Sequence, residues 1–123
     1  MQALSVVLFQ SDSRIAQALA SSLHSQFQSV HVARSLDDLR LAIAKHRADV
    51  AVLDVELSRL SEVEKLHHEF PCVSIVCTHR LADEEMWAAA LAAGAADICP
   101  AWDTRGILSS ALRSTATSHS AAA

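Results

Sequence analysis

Two hydrophobic periodicities alternate along the chain, and each is typical of a different kind of element. Short apolar runs rich in Val and Ile occur at residues 4–9, 30–33, 50–53, 73–77 and 97–99. Several runs are apolar at every position, which is typical of strands that are buried on both faces of a parallel sheet. The runs therefore predict five strands.

The segments between these runs have the spacing of amphipathic helices. Their apolar positions are Ile15, Leu19 and Leu23; Leu36, Leu39 and Ile43; Leu60, Val63 and Leu66; the helix-forming segment 84–93; and Ile107, Leu108, Ala111 and Leu112. Candidate capping residues agree: Asp12 or Ser13, Ser35, Asp83, and Asp103 or Thr104 before helices, and Gly94 after one. The pattern predicts an α/β, flavodoxin-like (βα)5 doubly wound sandwich, a five-stranded parallel sheet with helices on both faces.

Composition narrows the class of protein. The 123 residues are 51% hydrophobic, which is enough to bury the core of one domain. We place this domain at residues 1–114. Residues 115–123 are rich in Ser, Thr and Ala and are expected to form a flexible tail or the start of a linker. A net charge of −4 without a basic cluster disfavours direct nucleic-acid binding by this domain. We find neither an 18-residue apolar run nor a signal peptide, so we expect a cytoplasmic protein that does not span a membrane.

The cysteines and histidines form no evident metal or disulfide pattern. Three cysteines are an odd number, and we interpret Cys72 and Cys77 as small core residues rather than metal ligands. The adjacent pair His67 and His68 lies in a charged stretch. Adjacent helix positions point about 100° apart, so we expect this pair on a solvated helix face.

Chemistry is expected where the strands end, because ligands of an open parallel sheet bind at the carboxyl ends of its strands. The residues that follow the predicted strands are Gln10, Ser11 and Asp12; Asp54, Val55 and Glu56; Thr78, His79 and Arg80; and Pro100, Ala101 and Trp102. One carboxylate, one hydroxyl and a second nearby carboxylate would thus meet at one edge.

With these residues in place, the chain resembles the receiver domain of bacterial two-component response regulators. The resemblance covers residues 4–113. It rests on Val6-Val7-Leu8-Phe9, Ala51-Val52-Leu53-Asp54-Val55, Ser74-Ile75-Val76-Cys77-Thr78 and Ala92-Ala93-Gly94-Ala95-Ala96-Asp97, in this order and at the spacing of the family.

The resemblance implies a role for each matching position. Asp54 matches the phospho-accepting aspartate and Thr78 the hydroxyl residue that contacts the phosphoryl group. The pair of acidic residues that binds Mg²⁺ falls on Gln10 and Ser11, and Asp54 and the backbone of Glu56 would complete that metal pocket. The lysine that pairs with the phosphoryl oxygens falls on Ala101. The aromatic residue of the switch falls on Ile98, and a β-branched residue at this place is also an ordinary core residue of a central strand.

These replacements predict a degenerate phosphorylation site. Mg²⁺ prefers several oxygen ligands, usually including carboxylates, so Mg²⁺ binding is possible but weakened. Asp12 lies one place later and could compensate only if the loop turned differently, and Arg80 or Arg105 could replace the missing cation. Two alternatives stay open: Asp54 is a working acceptor, or the domain signals without phosphorylation.

Asp54 and Thr78 also have structural interpretations. Asp54 could cap a following helix or loop, and Thr78 could bond nearby backbone.

The resemblance also implies partners. A sensor histidine kinase could act on the domain, and an output domain could follow the C-terminus. Trp87 and Trp102 fall on the face formed by the fourth helix, fifth strand and fifth helix, which receiver domains use for homodimers. The alternative is that both tryptophans pack under their own helices.

The segment after the first strand is also compatible with a different class of function. The hydroxyl-rich segment 9–13 precedes a helix and could bind an anion, as in a small-ligand-binding flavodoxin-like module or enzyme. The chain has only two glycines and neither a dinucleotide fingerprint nor a P-loop. We therefore expect a signalling module that acts through protein–protein association rather than an enzyme.

Overall fold

The computed structural model describes residues 4–56, 59–80 and 83–122, in which five strands alternate with five helices. The strands are β1 (Ser5–Phe9), β2 (Ser29–Val32), β3 (Val50–Asp54), β4 (Ser74–His79) and β5 (Asp97–Pro100). The helices are α1 (Ser13–Leu23), α2 (Leu36–His46), α3 (Leu60–Glu69), α4 (Glu84–Ala92) and α5 (Thr104–Ala122).

The strands form one parallel sheet in the order β2-β1-β3-β4-β5. This order and the alternation with helices confirm the predicted flavodoxin-like fold. In this order β1 and β3 are neighbours although β2 lies between them in the chain. The reversal of strand order at this point opens a crevice beyond the carboxyl ends of the strands.

The core has two halves, one on each face of the sheet, which explains why the strand sequences are apolar at successive positions. One half packs α2, α3 and α4 against side chains such as Val7, Leu53 and Ile75. The other packs α1 and α5 against side chains such as Leu8 and Val52. Alternate residues of each strand point to opposite faces, so a strand buried on both faces needs apolar residues throughout.

Side-chain caps begin the helices where the sequence predicts them. Asp12, not Ser13, caps α1 and accepts from the Arg14 amide at 2.8 Å. Asp83 accepts from the Met86 amide at 2.9 Å at the start of α4.

The cap of α2 supports a simple stability prediction. The Ser35 hydroxyl accepts from the Asp38 amide at 3.1 Å. Ser35→Ala should lower the free energy of unfolding by about 1 kcal/mol, because that amide loses its partner. Urea denaturation measures the change. Ser21→Ala, at an exposed interior position of α1, is the matched control and should leave the midpoint nearly unchanged. Equal midpoints for the two variants would contradict the capping role.

Some sequence predictions need correction. Cys77 is buried as predicted, but Cys72 is exposed, because β4 begins at Ser74 and leaves Cys72 in the preceding turn. His67 and His68 are exposed, as predicted. The backbone of α5 is helical up to Ala122, beyond the expected start of a tail at residue 115. The domain boundary at residue 114 remains a prediction.

Within the described ranges, no helix is long and apolar enough to span a membrane.

Candidate functional site

The carboxyl ends of β1, β3 and β4 bring the candidate residues together. Asp54 is the last residue of β3 and lies opposite Thr78 of β4 in the register of the sheet. Gln10 and Ser11 follow β1, which pairs with the other side of β3. Ala101 follows β5, and its amide donates to the carbonyl of His79 at 3.0 Å. The sequence-predicted positions therefore share one edge of the sheet.

Asp54 lies in the middle of this edge and is only 4% exposed. Its Oδ2 accepts from the Ser11 hydroxyl at 2.5 Å and from the Ser11 amide at 3.2 Å. Its Oδ1 accepts from the Glu56 amide at 2.8 Å. A buried carboxylate needs such donors, because burial without them would cost several kcal/mol, on the order of 2–7 for a polar group and more for a charge. The structure thus holds Asp54 by loops on both sides.

Thr78 is fully buried beside Asp54. Its hydroxyl donates to two acceptors, Gln10 Oε1 at 3.2 Å and the Leu53 carbonyl at 3.5 Å. The Nε2 atom of Gln10 is buried and has no hydrogen-bond partner in the described part of the chain. The Gln10 side chain is therefore turned inward toward Thr78 and the sheet.

A surface ion pair lies at the rim of the site. Arg80 donates from Nε to Glu56 Oε1 at 2.8 Å and from its amide to the same oxygen at 3.2 Å. His79 Nε2 lies 3.8 Å from this oxygen. The Arg80 side-chain hydrogen bond holds the pKa of Glu56 below its ordinary value. Arg80 is largely exposed, so the pair adds little to stability but does place a guanidinium at the rim.

A cavity of about 210 Å³ opens between these groups. It is lined by Ser11, Asp12, Ile15, Asp54, Glu56, Arg80 and Ala101. Of the two arginines that the sequence analysis considers as possible cations of the site, Arg80 lines this cavity and Arg105 is not among its lining residues. Ala101 lines the cavity with a short, uncharged side chain.

The residues around this cavity do not fit a Mg²⁺ site. Among residues 4–56, 59–80 and 83–122, no group of three or more His, Cys, Asp or Glu side chains is placed to hold a metal ion. Each nearby carboxylate is engaged elsewhere: Asp12 caps α1, Glu56 binds Arg80, and Asp54 accepts from Ser11. The donor set that Mg²⁺ prefers is therefore not assembled.

The buried cysteines offer no nucleophile to the site. Burial raises the pKa of the Cys77 thiol to about 12 and also raises the pKa of Cys99. The thiolate is the reactive form, so the raised pKa values make both thiols weaker nucleophiles at neutral pH.

Ile98 and the two tryptophans differ in burial. Ile98 lies in the core against the α2–α3–α4 side of the sheet. Trp87 is 50% exposed and Trp102 is 73% exposed, so the alternative that both pack under their own helices is wrong. Trp87 is on α4 and Trp102 directly follows β5.

The sequence analysis missed two contacts in the site. It placed Ser11 at a vacated metal position and did not predict that its hydroxyl would bind Asp54. It assigned a role to the Glu56 backbone and none to the Glu56 side chain, which binds Arg80. Neither contact has a signal in the sequence, because both depend on the path of a loop.

Comparison with known proteins gives the fold a name. No protein-family model matches the chain, and no curated protein matches it by sequence. Solved structures do match: a CheY-like response regulator receiver domain protein from Methanospirillum hungatei has a TM-score of 0.83 at 17% identity, over 97% of this chain and 98% of that one. The chain has the fold of a response-regulator receiver domain.

Other receiver-fold matches include regulators described as unusual. An orphan response regulator of H. pylori matches with a TM-score of 0.75 at 18% identity, over 92% of this chain and 94% of that one. An atypical orphan response regulator with a phosphorylation-independent mechanism matches with a TM-score of 0.80 at 16% identity, over 92% and 96%.

Larger regulators contain the same fold as one part. NtrX from Brucella abortus matches with a TM-score of 0.84 at 19% identity. The match covers 96% of this chain and 27% of the NtrX chain.

Proposed function

We propose that this chain is an atypical receiver module of a two-component signalling system, and that it acts through protein–protein association. The observation that carries the proposal is the exposure of Trp87 and Trp102 on the α4–β5–α5 side of a receiver fold. The partner that we propose for this face is the same face of a second copy of the chain.

The exposed tryptophans favour an interface because of their size. A tryptophan can bury about 150–250 Å² and is enriched at the energetic centres of interfaces. Residues 86–92 of α4 include no charged side chain, and Ala88, Ala89 and Ala92 are exposed. These small residues would let a partner backbone approach Trp87 closely.

The Asp54 site favours an output that does not depend on metal-assisted phosphorylation. Phosphoryl transfer needs groups that neutralise the charge on the transferred group. Gln10, Ser11 and Ala101 supply neither a carboxylate nor a cation there, and Arg80 is bound to Glu56. This function therefore does not require a sensor histidine kinase as a partner.

An output domain beyond the C-terminus is part of the proposal. The chain spans 27% of the NtrX chain and 61% of the chain of the RcsB response regulator from Salmonella typhimurium. The helical backbone of α5 up to Ala122 would be a direct connection to such a domain.

The proposal predicts weaker self-association when the tryptophans are removed. Trp87→Ala and Trp102→Ala should each raise the Kd of the dimer about thirtyfold, which corresponds to about 2 kcal/mol per interface tryptophan. Sedimentation equilibrium over a wide range of protein concentration measures this Kd.

Leu41→Ala is the matched control for this experiment. Leu41 is 68% exposed but lies on α2, so its removal should leave the Kd unchanged. A native chain that stays monomeric at all concentrations would contradict self-association, and equal effects of all three substitutions would contradict the assignment of the face.

A further inference from the structure

Ser11 makes two contacts with one oxygen of Asp54. Its hydroxyl donates to Oδ2 at 2.5 Å and its amide donates to the same atom at 3.2 Å. Both donors belong to the loop between β1 and α1. On the other side, the Glu56 amide donates to Oδ1 at 2.8 Å. The two carboxylate oxygens are therefore held by different loops.

The environment makes the Ser11 contacts strong. Hydrogen bonds to an ionised carboxylate are shorter and about twice as strong as those between neutral groups. Asp54 is 4% exposed, and low local polarity strengthens such bonds further. Ser11 itself is exposed, so it covers Asp54 from the solvent side.

Gln10, the residue before Ser11, makes a second contact between this loop and the sheet. Gln10 Oε1 accepts from the Thr78 hydroxyl at 3.2 Å. Adjacent residues of one loop thus bind the carboxyl ends of both β3 and β4. Moving Ser11 away from Asp54 would also pull on the Gln10–Thr78 contact.

We propose that Ser11 is an autoinhibitory latch, which holds the β1–α1 loop over Asp54 and keeps cations and phosphoryl donors away from its Oδ2 atom. The latch rests on the geometry of the Asp54 site and not on the tryptophan face. Either proposal can therefore fail while the other stands.

A simpler role for Ser11 would be to satisfy a buried carboxylate and nothing more. The two roles differ in what happens when the hydroxyl is removed. A structural donor changes only stability, whereas a latch also changes access to Asp54. Mn²⁺, added alone, is a suitable probe because it broadens the NMR signals of amides close to it.

The test compares Ser11→Ala with the native chain in a Mn²⁺ titration. Removing a hydrogen bond to a charged group should expose Asp54, so broadening of the amides at residues 10–12 and 54–56 should begin at an about tenfold lower Mn²⁺ concentration. The added response should disappear in Ser11→Ala with Asp54→Asn. Ser11→Thr keeps a hydroxyl and should respond like the native chain.

Ser13→Ala is the control for a serine removed from the same region, because the side chain that caps α1 is Asp12 and the serine that donates to Asp54 is Ser11. It should leave the titration unchanged. Should Ser11→Ala fold poorly, the same Mn²⁺ titration of Ser11→Thr and Ser11→Val supplies the second measurement, because valine has the shape of threonine without its hydroxyl. The latch predicts a native-like response with threonine and a response at an about tenfold lower Mn²⁺ concentration with valine. Equal Mn²⁺ responses in Ser11→Ala and native chains, or equal responses in the threonine and valine variants, would overturn the proposal.

Discussion

Replacing Gln10 and Ser11 by aspartate and Ala101 by lysine is expected to create a Mg²⁺-dependent response to beryllofluoride, a mimic of an aspartyl phosphate. The reason is charge. The two aspartates would join Asp54 as metal ligands, and the lysine at position 101 would enter the cavity that Ala101 now lines. One charge pair at 4 Å is worth about 1–4 kcal/mol, so two added carboxylates should raise Mg²⁺ affinity by about a hundredfold or more.

Two-dimensional amide NMR measures this gain. Mg²⁺ is added first and beryllofluoride second, and saturable shifts should centre on residues 10–12, 54 and 78. The same triple variant with Asp54→Asn is the control and should show no response to beryllofluoride. A native chain that already responds at the same concentrations would show that Gln10, Ser11 and Ala101 do not limit the site. It would also revive Asp54 as a working acceptor.

Gly94→Ala is expected to lower the free energy of unfolding by about 2–4 kcal/mol, the largest effect of a one-methyl change that we foresee. Gly94 follows α4 with φ +107°, a conformation that costs an L-residue about 1–2 kcal/mol. A methyl group there would also lie 2.6 Å from the Cγ and Cδ2 atoms of His67 on α3. Thermal and urea denaturation measure the loss.

Two further variants separate the causes. His67→Ala in the Gly94→Ala background removes the clash and should restore part of the stability, leaving the backbone strain. Gly106→Ala is the contrasting glycine change. Its methyl group would meet the Asp103 carboxylate, whose Oδ1 accepts from the Gly106 amide at 3.0 Å. That side chain can rotate away, so the loss should stay near the value of one helix cap, about 1 kcal/mol. Equal losses for both glycine variants would contradict this account.

Hydrophobic patterning predicted the elements well because each strand is buried on both faces. The limits are less accurate where polar residues join a strand. β4 extends to His79 and β5 to Pro100, beyond the predicted runs, because backbone pairing continues past the last apolar side chain. The predicted burial of Cys72 is wrong for the opposite reason, because Cys72 borders an apolar run but precedes the strand.

The candidate site was predictable in outline. Parallel strands end at a common edge, so Asp54, Thr78 and the residues after β1 had to lie near one another once five β-α units were assigned. The partners of each side chain were not predictable. The roles of Asp12 as the cap of α1 and of Arg80 as the partner of Glu56 depended on loop paths that hydrophobic spacing does not encode.

The sequence by itself determined the fold class and the order of the strands and helices, because hydrophobic periodicity is a local property of the chain. Only the tertiary structure decided that Ser11 binds Asp54, that Gln10 turns inward to Thr78, and that both tryptophans stay exposed. These features depend on distances between residues more than forty positions apart and on burial by other elements. Only the folded arrangement of the strands and helices sets those quantities.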